Sequence, residues 1–423
     1  MALTASQRLM LGLYRAAWPA ALPFLYLSKR LRSGFKSRVK GDAPEEFKDV
    51  WIQAASGGEA KLAAMLAAEL CIGKEKPSVM VTSCTDQGVE ILKRETAQLV
   101  QNGGEVTVAY FPFDIQGTMD RMVEHASPKV IVLLETEIWP GLLAAAKKMD
   151  VPVVVVNGRM TSGSLAGYLL FEALLKEIGP ERILATSAES ASRFSLVFGA
   201  GRIGQMTNMK FDALSAAPEA DGKENPLSEI IKPGAPFVVM GSVRKEEESE
   251  ALYALELLLE AKPKTIIGLF PRHMHRLESW KNMLAGAGLT WRLRSELSGP
   301  APQGGVILWD TFGELAHAYA HARAAFVGGT LRPLGGQNFL EPLAYGLTPV
   351  IGPFYSNFAW VGEGLFENKL VKRVETARDV AEALGKSLEQ RQSRQKVKER
   401  VEDFAAEHSG GTRQAAELIR RYL

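Results

Sequence analysis

The sequence predicts an α/β protein of two Rossmann-like, doubly wound parallel-sheet domains with a ligand cleft between them. Three observations predict it. At 423 residues the chain is long for a single core. Short apolar runs alternate with helical stretches in two successive series, and continuous apolar runs between helices read as strands buried on both faces of a parallel sheet. Between the two series lies 213–235, rich in Ala, Pro, Glu and Lys and without apolar periodicity, which reads as an interdomain connection. The expected organisation is a basic apolar arm (1–41), a first Rossmann-like domain (42–212), the linker (213–235) and a second domain (236–423). The last helix is a candidate to cross back to the first domain.

In the first series, strands are expected at 50–55, 78–82, 106–110, 130–134, 152–156 and 182–185. Helices are expected between them at 58–70, 87–101, 115–124, 140–148, 164–178 and 189–198. The second series runs strand 237–241, helix 245–260, strand 265–270, helix 275–287, strand 290–293, strand 306–309 and helix 313–320. Strand 325–327, a glycine-rich loop, helix 338–345 and strand 349–351 follow. A helix near 359–367 and two helices, 377–408 and 412–422, close the chain.

Composition narrows the function. A net charge of +2 argues against a dedicated nucleic-acid binder. Two cysteines, Cys71 and Cys84, supply neither a disulfide framework nor a metal spacing. They fit a reducing compartment. The first 41 residues contain no Asp or Glu but carry Arg8, Arg15, Lys29, Arg30, Arg32, Lys36, Arg38 and Lys40. The apolar run 16–27 among them is too short to span a bilayer, and Pro19 and Pro23 weaken it as a helix. An apolar wedge with Trp18 and Tyr26 between basic groups suits an anionic membrane surface. An ordinary helix packed on the core is the alternative.

Chemistry-bearing residues cluster after strands. Ser56-Gly57-Gly58-Glu59 follows the first. The positive end of a helix lowers a carboxylate pKa, which predicts an ionised Glu59 near neutrality, suited to general-base work in a cleft. The same position also suits a surface acid that only complements the dipole. Thr82-Ser83-Cys84-Thr85 offers hydroxyls whose expected job is capping. Tyr110 to Asp114 follows the third strand. Glu135-Thr136-Glu137 follows the fourth, and two acids directly after a buried strand are costly unless paired or open to a cleft. Asn157-Gly158-Arg159 brings a cation to the same rim, and Lys210 lies at the domain junction. In the second half, Pro271-Arg272-His273 suits a phosphate or carboxylate. Asp310 to Glu314 opens a helix.

The stretch 325–353 gathers Gly328, Gly329, Gly335 and Gly336 in one loop before a helix. Glycines let backbone approach a ligand. A helix opening there favours a phosphate, with Glu341 available to ribose hydroxyls. No Walker A sequence, dinucleotide fingerprint, nucleophile elbow or zinc spacing occurs. Residues alone therefore lead to a nucleotide phosphate held by the second domain and an acidic rim on the first. A two-domain (GT-B) glycosyltransferase and a sugar-nucleotide epimerase of the same architecture both fit.

Taken in order, the segments SGGEAK (56–61), TSCTDQG (82–88), YFPFD (110–114), ETEIWP (135–140), MKFD (209–212), PRH (271–273), DTFGEL (310–315), FVGGT (326–330) and GGQNFLEP (335–342) resemble the Kdo (3-deoxy-D-manno-octulosonic acid) transferases. The resemblance spans nearly the whole chain. It implies a GT-B enzyme on the cytoplasmic face of the inner membrane, bound through residues 1–41, that acts in lipopolysaccharide biosynthesis. The implied reaction moves Kdo from CMP-Kdo to a lipid A precursor of the lipid IVA type, with inversion and with neither cofactor nor metal. By resemblance, Glu59 is the general base, and Glu135 and Lys210 stabilise the transition state. Pro271, Arg272, Phe312, Gly313, Glu314, Asn338, Phe339, Leu340 and Glu341 match CMP-contacting positions. The chain departs from the family pattern at Gly158, Arg244, Glu246, Met274, His275 and Gln337, none of them a proposed catalytic group.

Overall fold

A computed structural model describes residues 3–27, 32, 34–42, 46–73, 76–215, 225–390 and 393–423. Lys29 and Arg30 of the basic arm and residues 216–224 of the expected linker lie outside the described residues. The chain divides into two compact units, Met1–Ala213 with His408–Leu423, and Leu214–Glu407.

The first unit is built on a seven-stranded sheet of β1 (Val50–Ala54), β2 (Val79–Ser83), β3 (Val106–Tyr110), β4 (Val130–Leu134), β5 (Val153–Gly158), β6 (Arg182–Ala185) and β7 (Ile203–Gln205). The spatial order is β3-β2-β1-β4-β5-β6-β7, with every pairing parallel. β1, β2 and β4 are wholly buried because helices cover both faces, which is why they are apolar on both faces rather than at alternate positions, with Gln53, Thr82 and Ser83 the polar exceptions at their carboxyl ends. Ile52 pairs with Val81 on one side and Val132 on the other. The chain therefore leaves β1 toward one edge and returns through β4 toward the opposite edge. The loops after β1 and β4 diverge and leave a crevice at the carboxyl ends of the strands. The C-terminal helix Gly411–Ile419 belongs to this unit and buries Ala415, Ala416, Leu418 and Ile419 in the same core as Leu62 and Leu66. Its start is fixed by Asp212, whose carboxylate accepts from Gly410 N and Thr412 N, each at 2.6 Å.

The second unit repeats the plan with β8 (Phe237–Val243), β9 (Ile266–Pro271), β10 (Trp291–Leu293), β11 (Val306–Leu308), β12 (Ala324–Val327), β13 (Val350–Ile351) and β14 (Lys372–Arg373). Its order is β10-β11-β9-β8-β12-β13-β14, again parallel. Here the switch point falls between β8 and β12. Leu227, Ile230 and Ile231, within the stretch read as linker, are buried in this unit's core beside Phe237 and Trp309.

Several expectations are corrected. The N-terminal helix Ala5–Leu27 runs through Pro19 and Pro23. A proline inside a helix costs about 3 kcal/mol, and docking offsets it here. Tyr14 Oη donates to Asp114 at 2.6 Å, Trp18 packs on Phe113 with ring centroids 6.0 Å apart, and Leu11 is buried. The single helix expected over 164–178 is two, Ser162–Leu169 and Glu172–Ile178, and that over 377–408 is also two, Ala377–Glu389 and Arg394–His408. Apolar residues continue across the first break and so conceal it, whereas the polar run from 389 to 396 at the second carries no glycine or proline to mark an end. The edge strands β7 and β14 carry too few apolar residues to be read from the sequence.

Candidate active site

The crevice of the first unit collects carboxylates. Glu59 sits in the first turn of the helix Gly57–Leu70, whose N-cap is Ser56. Its Oε2 accepts from Ala55 N at 2.8 Å and its Oε1 from Ser56 Oγ at 2.8 Å, while Glu59 N donates to Ser56 Oγ at 3.4 Å. This reciprocal capping fixes the side chain at the end of β1. Glu135 and Glu137 enter across the switch point from the loop after β4. Glu135 has φ +56°, a left-handed backbone that costs a non-glycine residue about 1–3 kcal/mol. Lys210 Nζ approaches Glu135 Oε1 to 2.6 Å. Lys210 is carried by the helix Met209–Ser215, and Asn157, also at positive φ (+55°), accepts from Met209 N at 2.9 Å and so ties that helix to the end of β5.

Glu137 is held by a buried polar chain. Trp51 Nε1 donates to Thr82 Oγ1 at 2.9 Å, and Thr82 Oγ1 donates to Gln53 Oε1 at 2.6 Å. The Gln53 amide then donates to Glu137 Oε2 at 3.5 Å and lies 3.3 Å from Cys84 Sγ. Trp139 Nε1 gives Glu137 a second donor at 2.8 Å. The Cys84 thiol is pushed up to about 12 by burial and by the Glu137 charge, so it is protonated and no nucleophile at neutral pH.

These neighbours overturn the expectation of a Glu59 that is fully ionised at neutrality. Burial and the charges of Glu135 and Glu137 outweigh the Ala55 and Ser56 hydrogen bonds, and its pKa is pushed up to about 7. A carboxylate of that proton affinity is matched to taking a proton near neutral pH. Burial raises Glu137 as well, against the donors Trp139 and Gln53.

Not every loop singled out in the sequence is part of this crevice. Asp114 anchors structure: it accepts from Tyr14 Oη and from Gly141 N and Leu142 N, both at 2.7 Å, and burial pushes its pKa up to about 7. Thr85 caps a helix by accepting from Gly88 N at 3.1 Å. Arg38, counted among the basic groups of the arm, is buried, donates to Phe111 O at 2.9 Å and Cys84 O at 3.1 Å, and lies over the Phe113 ring.

In the second unit Pro271 ends β9 and Arg272 is exposed just beyond it, with Arg272 N donating to Val243 O at 2.8 Å. Phe312 is 84% exposed, beside Gly313 at φ +84°. Glu314 is engaged by Trp309 Nε1, Thr311 Oγ1 and Arg294 Nη2 at 2.8–2.9 Å. Asn338 is exposed and its Oδ1 accepts from Leu340 N at 3.2 Å. Phe339 has no exposed surface, main chain included, and Leu340 is buried, so of this segment Asn338 and Glu341 are the accessible residues. Glu341 is half-buried, and its charge raises the pKa of Tyr345, after the larger effect of burial.

Two expectations about the glycine loop are corrected. The helix after it spans only Leu340–Ala344, too short for a substantial macrodipole. The loop amides at Gly329, Thr330 and Leu331 are already taken by the buried carboxylate of Glu247. The sequence places Glu137 on the acidic rim without a role of its own and gives Glu247 none. The available signal was an acid soon after a strand, but which strand stands beside which is not written locally. Among the described residues no cluster of His, Cys, Asp and Glu is arranged to hold a metal, and no helix is long and apolar enough to cross a membrane.

Comparison with known proteins bears on the same features. The family model described as 3-deoxy-D-manno-octulosonic-acid transferase matches residues 27–213. A 3-deoxy-D-manno-octulosonic acid transferase of Bordetella pertussis is 33% identical over 88% of this chain and 87% of its own. Among solved structures, a glycosyltransferase of Rickettsia africae superposes with a TM-score of 0.59, at 11% identity, over 90% of this chain and 99% of that one. A UDP-N-acetylglucosamine 2-epimerase does so with a TM-score of 0.57, at 12% identity, over 90% and 95%. These two share the GT-B fold, which by itself does not separate transfer from epimerisation. The family model, the Bordetella relative and the Rossmann-like sheets together establish that the chain belongs to the Kdo transferase family of glycosyltransferases.

Proposed function

We propose that this protein transfers Kdo from CMP-Kdo to a lipid A precursor of the lipid IVA type, with inversion at the anomeric carbon, and with Glu59 as general base. The observation that carries the reading is the Glu59 carboxylate, fixed by its own helix cap and raised to about 7 beside two further acids. Ionised Glu59 takes the proton of an acceptor hydroxyl. The freed oxygen forms a bond to the anomeric carbon from the face opposite the phosphate, and the bond to CMP breaks as CMP leaves with the electron pair. Lys210, paired with Glu135, steadies charge at the reacting centre. In the second unit, Arg272, Phe312, Gly313, Glu314 and the segment Asn338 to Glu341 hold the nucleotide.

The arm is proposed to rest on the cytoplasmic face of the inner membrane. Leu9, Leu13, Phe24 and Leu27 are each more than 60% exposed. They form a stripe at helical spacing opposite the face that carries Leu11, Tyr14 and Trp18. A second apolar face with basic neighbours fits the interface of an anionic bilayer.

The direct test incubates the protein with lipid A precursor and CMP-Kdo generated in situ, and reads acceptor mass. A gain of one or more Kdo units is expected. An unchanged acceptor accompanied by isomerised nucleotide sugar would transfer the assignment to the epimerases, whose fold is the same.

A further inference from the structure

Glu247 is a fully buried carboxylate in the unit proposed to hold the nucleotide. It follows β8, and β8 lies beside β12 at the switch point of the second sheet. Its side chain reaches across that point to the glycine loop. Oε1 accepts from Gly329 N and from Arg244 N at 3.0 Å, and Oε2 accepts from Thr330 N and Leu331 N, each at 3.1 Å. Four backbone donors converge on one carboxylate, as they would on a bound oxyanion. Gly328 is required by this approach, since a Cβ there would come within 2.7 Å of Glu247 Oε1 and of Ser242 O.

The clamped residues in turn hold the segment that follows. Gly336 N donates to Gly329 O at 2.8 Å and Gln337 N donates to Gly328 O at 3.0 Å, closing the loop on its own base. Thr330, also fully buried, accepts from Gly352 N at 2.9 Å through Oγ1 and from Phe354 N at 3.0 Å through its carbonyl. Asn338 begins immediately beyond this closure. From this connection we infer that Glu247 is a positioning residue, an internal anion that holds the glycine loop in its nucleotide-binding shape before any ligand arrives. The inference rests on the donor-nucleotide reading above. It assigns the ligand's recognition to the segment after the loop rather than to the amides of Gly329 to Leu331.

Glu247→Gln keeps one acceptor oxygen and turns an NH₂ group toward two N–H donors, so half of the clamp becomes repulsive. Glu247→Ala removes it and leaves a space the size of a small carboxylate. The test measures CMP binding to the full-length protein by calorimetry, with and without formate, together with donor KM, acceptor KM and kcat. Loop amides are followed by hydrogen exchange over 328–337. Expected are CMP binding weakened by at least about tenfold in either variant, a raised donor KM with acceptor KM and saturated kcat little changed, and faster exchange at 328–337 than elsewhere in the second unit, measured below the melting temperature of each variant. Formate should restore CMP binding to Glu247→Ala alone. Normal CMP binding in a folded Glu247→Gln variant overturns the inference and leaves the function standing. So does loss of kcat with donor KM unchanged. Absence of CMP binding by the unaltered protein overturns the donor reading and the inference with it.

Discussion

Glu59 is governed by competition at the scale of single groups. Its cap favours the anion, while burial and the Glu135 and Glu137 charges disfavour it more. As a base it must be deprotonated, so kcat/KM should rise tenfold per pH unit below about 7 and level off above it. Glu137→Gln removes one of the two repulsive charges and should move that limb to lower pH, and an unmoved limb would show that Glu137 does not act on Glu59. The groups facing Glu59 also include Lys210 through its pair with Glu135, and Cys84, which stays neutral. The same shift has a cost in stability. Folded Glu59 binds its proton more tightly than the unfolded chain does, so its contribution is most favourable at low pH and declines as pH rises from about 4.5 through about 7. Glu59→Gln should therefore raise stability at pH 8 by about 1–3 kcal/mol and hardly at pH 4. Thermal melts at the two pH values check this, and an equal gain at both would contradict the assigned cause.

At the scale of elements, the N-terminal helix has two apolar faces with different fates. One is fastened by Tyr14 to Asp114 and by Trp18 to Phe113. Removing residues 1–28 should release the protein from membranes, but it also strips the donor from buried Asp114. The cleaner variant is Leu9→Glu with Leu13→Glu, which leaves Leu11, Tyr14 and Trp18 in place. Membrane fractionation should move this variant to the soluble fraction at an unchanged melting temperature, and unchanged partition would end the arm reading. Tyr14→Phe removes one hydrogen bond to Asp114 and should cost about 1–3 kcal/mol in unfolding free energy by denaturant titration; no change would mean that this bond does not fasten the helix. Charge distribution and the apolar run 16–27 revealed the basic arm but not its helix, because Pro19 and Pro23 act locally and the docking that overrides them is contributed by residues near 113.

At the scale of the whole chain, the two sheets solve the same topological problem and use the result differently. Each has a switch point where a first strand lies between two neighbours, and in each an acid stands in the helical turn that follows that strand. In the first unit Glu59 meets Glu135 and Glu137 there, and in the second Glu247 fastens the glycine loop. The alternation of apolar runs and helices made both domains legible, since doubly covered parallel strands are apolar on both faces along most of their length. Glu59, Glu135 and Lys210 were legible as individual residues, and the Lys210–Glu135 pair at 2.6 Å follows from the order of β4, β5 and the helix after β7. Strand order itself is a long-range property. That is why the direction of the Glu59 shift, the hold on Glu137 and the occupancy of the loop amides by Glu247 could not be read in advance.

The central claim, that Glu59 performs proton transfer rather than binding, is tested most directly by Glu59→Ala measured for both. The account predicts CMP affinity within about twofold of the unaltered protein and Kdo transfer, read as acceptor mass, reduced by about 10²–10⁴. Parallel loss of CMP binding and transfer, or transfer that persists at an unaltered rate, would contradict it.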